Sequence, residues 1–337
     1  MKKLTILVPA GQSNLSSVVG AYKFFLKAND HFSRRGKQEV FEVKMAGVTK
    51  KVDLYDGAFS IRPHTNIRSV VHSDLVIIPA LAHSNLTAVL ERNKEAIDWI
   101  KQQYAQGAEL ASICTGAFML ASTGLLNGRA CSTHWNAIGK FRQMFPEVNI
   151  QTESIITDEH GIYTNGGAFS FLNLMLYLIE KYYDRETAVY CAKLFQVDMD
   201  RSSQSQFTIF NGQKEHSDQA IGKAQAFLED NLTVKISMDD LASRHALSRR
   251  NFDRRFIKAT GNTPAEYLQR VRIERAKKML ESSASSISEV MYEVGYADIK
   301  AFRGVFRKIT GLTPLDYRNK YNKNLMYLDP GYNDPYV

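Results

Sequence analysis

A cysteine at the junction of a predicted strand and a predicted helix is the side chain best placed for chemistry in the first half of the sequence. Cys114 and Thr115 follow the apolar segment Glu109–Ile113, and helix-forming residues continue from Ala117. A strand-turn-helix junction exposes a side chain at the carboxyl edge of a sheet, and the helix N-terminus lowers the pKa of a thiol there. Cys114 is therefore a candidate nucleophile or sensor thiol.

The sequence leaves three roles for this cysteine open. It shapes a buried pocket, which is the role we favour, or it senses a ligand or an oxidant, or it turns over a substrate. His134 is a candidate base for the last role, although we favour a packing or pocket-lining position for it. A turn is predicted at Asn165–Ala168, where close packing and ligand contact are equally open.

A repeated pattern near the other end of the chain indicates a second kind of chemistry. The segment from Asn251 to Tyr267 recurs from Ala301 to Tyr317 at an offset of 50 positions, with eight identities. Chance does not account for so many identities at one offset, and an internal repeat takes precedence over other local signals. The identical pairs are Phe252/Phe302, Phe256/Phe306, Lys258/Lys308, Thr260/Thr310, Gly261/Gly311, Thr263/Thr313, Pro264/Pro314 and Tyr267/Tyr317.

Each copy has the pattern of a helix-turn-helix. In the first copy, Ser237 with Asp240 predicts the start of a short helix. After a break, Ser248 caps a second helix that ends at Gly261. The second copy repeats this order, with its first helix at Ile287–Val294, its turn at Gly295, its second cap at Asp298 and a joining helix over residues 265–280.

Basic residues lie opposite the phenylalanines of the repeat, where phosphates and bases of DNA would be within reach. Residues 217–320 hold 19 Lys+Arg against 13 Asp+Glu, a net of +6, whereas residues 1–200 hold 21 against 19, a net of +2. A local excess of this kind is the electrostatic footprint expected for nucleic acid, and a helical module that contacts only protein is the alternative. The candidate DNA-binding residues are Ser248, Arg249, Arg250, Asp253, Arg254, Lys300, Arg303 and Arg307.

Strands and helices alternate over residues 1–200, and this alternation predicts an α/β domain with a parallel sheet between two layers of helices. The predicted strands are Leu4–Val8, Phe41–Ala46, the Asp74–Ile78 run that Pro79 stops, and Glu109–Ile113. The predicted helices are Ser17–Lys27, Asn93–Gln106, one from Ala117 and Phe169–Tyr182.

The chain of 337 residues is long enough for two domains. We expect an N-terminal α/β domain over 1–200, a polar linker over 201–216, an all-α domain over 217–322 that opens with a helix from Asp218 to about Asn231, and a tail over 323–337. Within the linker, three apolar residues are candidates for docking on one of the domains: Phe207, Ile209 and Phe210.

The composition is that of a soluble globular protein, with 44% hydrophobic and 23% charged residues. Three widely spaced cysteines argue against a disulfide framework, and no metal-ligand spacing is seen. The apolar run after Met1 is too short for a signal peptide, and no stretch approaches the roughly 20 apolar residues of a membrane span. We therefore expect a cytoplasmic protein without metal, cofactor or membrane partner.

The repeated segment resembles the AraC/XylS-type DNA-binding domain over about 100 residues. That domain also has two helix-turn-helix units joined by a helix. The resemblance implies that two recognition helices enter successive major grooves on one side of double-stranded DNA.

The residues around Cys114 and His134 resemble the DJ-1/PfpI superfamily, which is related to class I glutamine amidotransferases. The closest match is its GlxA-like branch, which is fused to AraC-type domains, and isonitrile hydratases share the Cys-Thr-Gly turn. The resemblance covers about residues 4–190 and implies a flavodoxin-like fold.

This sequence departs from the catalytic members of that superfamily at two places. They keep an acidic residue on the first helix, where this chain has Ser17 and Lys23, and a Pro-Gly-Gly stretch where it has Pro79–Leu81. The second change puts the usual oxyanion-hole backbone in doubt. A thiolate without a carboxylate partner is a poor catalyst, although Lys23 would lower the pKa of the Cys114 thiol.

These features predict a one-component transcription regulator rather than an enzyme. The N-terminal domain would form a homodimer and bind a small-molecule effector without catalysis, and the C-terminal domain would bind DNA, with RNA polymerase as a further partner if the protein is an activator. The alternative is a cysteine-dependent hydrolase or hydratase, of the isonitrile-hydratase or amidase type, with an appended DNA-binding domain.

Overall fold

The computed structural model describes residues 1–82, 85–214 and 216–322. The chain forms two units, Met1–Gln204 and Ser205–Val337, so the division falls inside the segment that the sequence analysis assigned to a linker. The predicted tail over 323–337 lies outside the described residues. None of the helices in the described part of the chain is long and apolar enough to cross a membrane.

The first unit is an α/β domain. Its strands are β1 (Lys2–Val8), β2 (Phe41–Gly47), β3 (Val52–Leu54), β4 (Phe59–Ile61), β5 (Thr65–Asn66), β6 (Leu75–Ile78), β7 (Glu109–Ile113), β8 (Ala130–Cys131), β9 (Asn149–Ile150), β10 (Ile156–Glu159) and β11 (Ile162–Asn165). Its helices are α1 (Leu15–Arg34), α2 (Leu86–Arg92), α3 (Lys94–Ala105), α4 (Gly116–Ser122), α5 (Ile138–Met144), α6 (Phe171–Tyr182) and α7 (Arg185–Phe195).

The main sheet has the strand order β10-β11-β7-β6-β1-β2-β5. All neighbours run parallel except β10 and β11. Side chains alternate between the two faces: Ile6 packs in the core with α1, α6 and α7, and Leu7 packs in the core with α2, α3 and α4. The predicted parallel sheet between helical layers is confirmed, with the correction that one edge strand is antiparallel.

The second unit is helical. Its helices are α8 (Gln219–Asp230), α9 (Met238–Arg244), α10 (Arg249–Thr260), α11 (Pro264–Ser282), α12 (Ile287–Glu293), α13 (Ile299–Thr310) and α14 (Pro314–Tyr321). Two separate cores hold it together: Phe252 and Phe256 are fully buried in the first, and Phe302 and Phe306 in the second. The predicted pair of helix-turn-helix units, α9–α10 and α12–α13, is confirmed.

The helix ends follow the predicted capping residues with one exception. The Ser237 side chain accepts the Asp240 amide, and Gly261 ends α10 with a φ of 71°, which glycine adopts without strain. The backbone of Ser248 occupies the N-cap position of α10, but its side chain makes no capping hydrogen bond. This hydroxyl is therefore not committed to holding the helix.

Candidate functional site

The predicted cysteine turn is present between β7 and α4, and its backbone is strained. Cys114 has a φ of 54°, in the left-handed region. Its amide donates to the Asn165 carbonyl at 2.9 Å, and its carbonyl accepts the Thr133 hydroxyl at 2.9 Å. A Cβ atom on Gly116 would lie 2.6 Å from the Pro79 carbonyl oxygen, so only glycine fits after the turn. These contacts hold the thiol in one position.

Burial, rather than activation, dominates the chemistry of this thiol. Cys114 is only 4% exposed. Burial raises the pKa of the Cys114 thiol to about 11, although hydrogen bonds from Thr115 and Gly167 oppose the shift. Lys23 is exposed on α1 and does not offset the burial. The expectation that the helix N-terminus and Lys23 lower this pKa is therefore wrong.

The serine that replaces the acidic residue, Ser17, is hydrogen-bonded to backbone groups of two neighbouring loops. Ser17 is 1% exposed, and its hydroxyl donates to the Asn14 carbonyl at 2.7 Å. The same oxygen accepts the Ala80 amide at 3.1 Å. Ala80 lies in the stretch where a glycine is expected, and its N–H is consumed by a side chain instead of pointing to a substrate oxyanion.

His134 is engaged in local structure. The residue is partly buried and forms the N-cap of a short 3-10 helix over Trp135–Ala137. Its Nδ1 atom accepts the Asn136 amide at 3.2 Å. A ring nitrogen that accepts a backbone amide is not available to take a proton, so this hydrogen bond limits His134 as a base.

The predicted turn at Asn165–Ala168 is held by internal contacts. The Asn165 side-chain amide donates to the carbonyls of Ile155 and Ser170, both at 3.1 Å. Gly167 has a φ of 104°, a conformation that favours glycine. The turn therefore positions the Gly167 amide, which reaches the Cys114 sulfur.

The exposed side of α10 is basic. Phe252 and Phe256 point into the core, and Arg250 and Arg254 are exposed on the other side. Arg254 donates to the Asn251 side chain at 3.0 Å, and neither arginine pairs with a carboxylate within the ranges that the structure covers. Both guanidinium groups have donors left for an anionic or base partner.

Two of the predicted DNA-binding residues on α10 are paired with each other. Arg249 Nε donates to both carboxylate oxygens of Asp253, at 2.9 and 2.8 Å, and Arg249 Nη1 donates to Asp239 on α9 at 3.2 Å. Both were predicted to contact DNA, and in this structure the two side chains form an ion pair with each other. The i, i+4 spacing in the sequence signals this pairing, and Asp239 was not foreseen.

The corresponding side of α13 carries less side-chain chemistry. Lys300, Arg303 and Arg307 are exposed. Gly304 is exposed as well, and a Cβ atom there would meet open space. Ile299 packs against the core of the second helix-turn-helix unit, so it does not join the exposed surface. The two helix-turn-helix units therefore differ in the exposed side chains of their second helices, α10 and α13.

Two family models match separate parts of the chain. The DJ-1/PfpI family model matches residues 26–181, and a helix-turn-helix domain model matches residues 241–320. The same two regions carry the cysteine turn and the repeated units. The chain combines a DJ-1/PfpI domain with a helix-turn-helix domain.

Curated relatives of this chain are named as regulators. The HTH-type transcriptional regulator GbdR of Pseudomonas aeruginosa is 29% identical over 226 residues, which are 67% of this chain and 61% of GbdR. The HTH-type transcriptional regulator ArgR of the same organism is 26% identical over 222 residues, 66% of this chain and 67% of ArgR. The chain thus spans about three fifths of the length of GbdR.

One solved structure supports the fold of the DJ-1/PfpI domain. A candidate transcriptional regulator protein from Vibrio parahaemolyticus superimposes with a TM-score of 0.51 at 21% identity, over 57% of this chain and 98% of that one. At this identity the similarity concerns the fold alone. In the part of the chain that the structure describes, no three His, Cys, Asp or Glu side chains group as a metal site would require.

Proposed function

We propose that this protein is a sequence-specific DNA-binding transcriptional regulator whose DJ-1/PfpI domain senses a small ligand without catalysis. The observation that carries the proposal is the exposed side of α10. Among the residues that the structure describes, Arg250 and Arg254 form no ion pair with a carboxylate, and the opposite side of the helix is buried in a core. A rigid helix with free guanidinium groups is suited to the major groove.

The two helix-turn-helix units would divide the work. Arginine holds guanine by two hydrogen bonds, so Arg250 and Arg254 would select sequence. Asp253 would accept a hydrogen bond from cytosine only where Arg249 releases its carboxylate. Lys300, Arg303 and Arg307 would bind phosphates together with the free hydroxyl of Ser248. Gly304 has no side chain with which to contact a base. This supports a smaller role for the second helix-turn-helix unit than for the first in sequence selection.

Three features of the first unit support sensing without turnover. The acidic residue of the catalytic relatives is replaced by Ser17, the Ala80 amide is consumed by that serine, and the pKa of the Cys114 thiol is raised to about 11. A nucleophile needs the thiolate and a base, and neither is provided at neutral pH. The N-terminal unit would therefore bind an effector without turning it over.

A cysteine-dependent hydrolase or hydratase is the second candidate, and the strained backbone of Cys114 is the observation that favours it. The test is an assay of the purified protein on amides, isonitriles and glyoxals beside Cys114→Ala. We expect no difference between the two proteins. Turnover well above background that disappears in the variant would establish the enzyme instead.

The remaining partners belong to the same proposal. The protein would act in the cytoplasm as a homodimer formed by the first unit, would need no cofactor, and would contact RNA polymerase if it activates transcription. The first unit would bind the effector and change the affinity or the spacing of the DNA-binding units in the dimer.

The function is tested by binding-site selection on the full chain, followed by genome-wide mapping of bound DNA with and without candidate metabolites. We expect one enriched duplex motif and a bound set that changes with the effector. Binding of all duplexes with equal affinity would contradict sequence-specific regulation.

A further inference from the structure

An open groove of about 900 Å³ lies beside α10 in the second unit. Its walls are the N-terminal end of α8, the C-terminal end of α9 with the turn after it, and one side of α10. Among the residues that the structure describes, the lining contains four cationic side chains and one carboxylate, that of Asp218. The cations are Lys223, Arg244, Arg255 and Lys258.

The two arginines of the groove are held in place by α8. Arg255 makes two hydrogen bonds to the Asp218 carboxylate, at 2.8 and 2.7 Å. The guanidinium of Arg244 lies over the Phe227 ring, 4.8 Å from its centroid. Both side chains are therefore ordered before anything binds, which reduces the entropy lost on binding.

The two lysines of the groove are unneutralised. Lys223 and Lys258 are exposed, and neither forms an ion pair with the residues that the structure describes. Asp218 is already paired with Arg255, so the described part of the groove holds three positive charges without a carboxylate partner, those of Lys223, Lys258 and Arg244. Such a concentration of charge fits a polyanion rather than a neutral molecule.

Comparison of the two repeats shows that the groove is not a consequence of the helix-turn-helix architecture. At the offset of 50 positions, Val294 and Val305 stand where the first copy has Arg244 and Arg255. Val294 is fully buried in the core of the second helix-turn-helix unit. Arg244 and Arg255 are thus specific to the first helix-turn-helix unit, whereas Lys258 recurs as Lys308.

The groove lies next to the helix that the proposed function places in DNA. Lys258 follows Arg254 by four residues, so it lies on the same side of α10 one turn later. A helix with its side chains is about 10–12 Å wide and the major groove is about 12 Å wide, so the flanks of the helix meet the phosphate strands. The opposite flank carries the Arg249–Asp253 pair and Asp239.

We propose that this groove binds the sugar–phosphate backbone of the DNA strand that runs beside α10. The inference rests on the proposed function and extends it, because it gives the first helix-turn-helix unit a backbone-binding groove whose two arginines the second helix-turn-helix unit lacks. Lys223, Lys258 and Arg244 would each approach a phosphate. The groove would add affinity on every sequence and leave the choice of bases to Arg250 and Arg254.

The test measures binding of the full chain to a selected duplex and to a random duplex over a series of salt concentrations. Lys223→Gln with Lys258→Gln should reduce the slope of log affinity against log salt by about two, because each phosphate contact contributes roughly one. Binding should weaken to the same extent on both duplexes, and the selected motif should not change. Charge reversal to Glu at both positions should enlarge the loss.

The matched control is Lys101→Gln with Lys193→Gln, which removes two exposed lysines from the α/β domain, outside the helix-turn-helix units. It should leave the slope unchanged. Wild-type protein that binds duplex DNA, together with a Lys223/Lys258 variant of equal slope and affinity, would overturn this inference while the proposed function stands. Loss of promoter activation at unchanged DNA affinity would also overturn it and would point to an acidic protein surface. Failure of the wild type to bind any duplex would overturn both.

Discussion

Arg250 and Arg254 are the residues on which sequence choice should depend. Both are exposed on α10 and free of carboxylates in the part of the chain described, so both can form paired hydrogen bonds to a base. Replacement of either by Ala should cost on the order of 1–3 kcal/mol of binding free energy and relax the preference at particular base pairs. Binding-site selection with each variant measures the change.

Lys300→Ala on α13 is the comparison for these variants. A phosphate contact adds affinity without sequence choice, so this variant should weaken binding to all duplexes alike and reduce the salt dependence. If Lys300→Ala changed the selected motif while Arg250→Ala and Arg254→Ala left it intact, the roles assigned to α10 and α13 would be reversed.

The buried thiol of Cys114 should be unreactive at neutral pH. A pKa raised to about 11 leaves the thiol protonated below that value, so the thiolate fraction grows about tenfold per pH unit as the pH rises toward 11. We expect iodoacetamide to modify Cys114 slowly at pH 7 and progressively faster toward pH 10, as read by mass spectrometry of the native protein.

The urea-unfolded protein is the control for this measurement, because its cysteines titrate near pH 8.5. The difference between the two rates should be largest at about pH 9–10, between the two pKa values, where most of the unfolded thiol is ionised and most of the folded one is not. Rapid modification of Cys114 in the folded protein at pH 7 would show that an activated thiolate is present after all.

The limits of sequence reasoning at this scale are illustrated by Ser17. The loss of the acidic residue is visible in the sequence, because it concerns one position. Its new partners are not visible, since the Ala80 amide lies 63 positions away and meets Ser17 only after the sheet has formed. The error over the pKa of Cys114 has the same origin, because burial depends on packing from distant elements.

The segment that was predicted as a linker is in part a structural element of the second unit. Lys277 on α11 donates to the Thr208 carbonyl at 2.7 Å, and the Phe210 amide donates to Glu274 at 3.1 Å. Farther on, the Gly212 carbonyl accepts the Tyr267 hydroxyl at 3.0 Å. Phe210 packs against the first core, whereas Ile209 is 51% exposed.

Lys277 should therefore contribute to stability. It is 4% exposed and pairs at 2.7 Å with Glu274, whose side chain is 12% exposed, so Lys277→Met would leave a largely buried carboxylate without its cation. Loss of one partner from a buried pair costs about 3–5 kcal/mol, and we expect a lowered free energy of unfolding of that order for the second unit. Chemical denaturation followed by circular dichroism measures it.

Lys278→Met is the matched control, since its side chain is exposed one position further along the same helix. It should change the free energy of unfolding by less than about 0.5 kcal/mol. Equal effects of the two substitutions would mean that residues 208–210 are not anchored by Lys277.

Helices and strands were predictable where their apolar residues recur at a regular spacing. The phenylalanines of α10 and α13 recur every four residues and face a core, so both helices and their ends were found. The strands β8 and β9 have two residues each, and a pattern of alternation cannot be recognised over two positions. The antiparallel edge strand β10 was missed for the related reason that its Asp158 and Glu159 interrupt the apolar signal.

At the scale of the whole molecule, the division into two units agrees with a separation of tasks, and the boundary guides the choice of a fragment. Gln204 is buried in the first unit, and its side-chain amide donates to the Thr133 carbonyl at 3.2 Å. A fragment that ends at Asp200 would lose this contact, whereas residues 1–204 retain it. The first unit should be studied in the longer form.

We expect the fragment of residues 1–204 to be a dimer. Two linked DNA-binding units gain affinity because the second contact becomes intramolecular, which compensates for the few base contacts of one copy. Val19 and Leu26 lie on one side of α1, seven positions apart, and are 42% and 40% exposed. Apolar side chains in this arrangement suit contact with a second copy.

Light scattering at micromolar concentration should give twice the mass of the fragment. Val19→Glu with Leu26→Glu should produce monomers, because charged carboxylates would have to be buried in the contact. Val71→Glu is the control, as Val71 is an apolar residue that is 83% exposed elsewhere on the same unit. A wild-type fragment that is monomeric would remove the dimer from the proposal, and a dimer that withstands the double substitution would place its contact on another surface of the first unit.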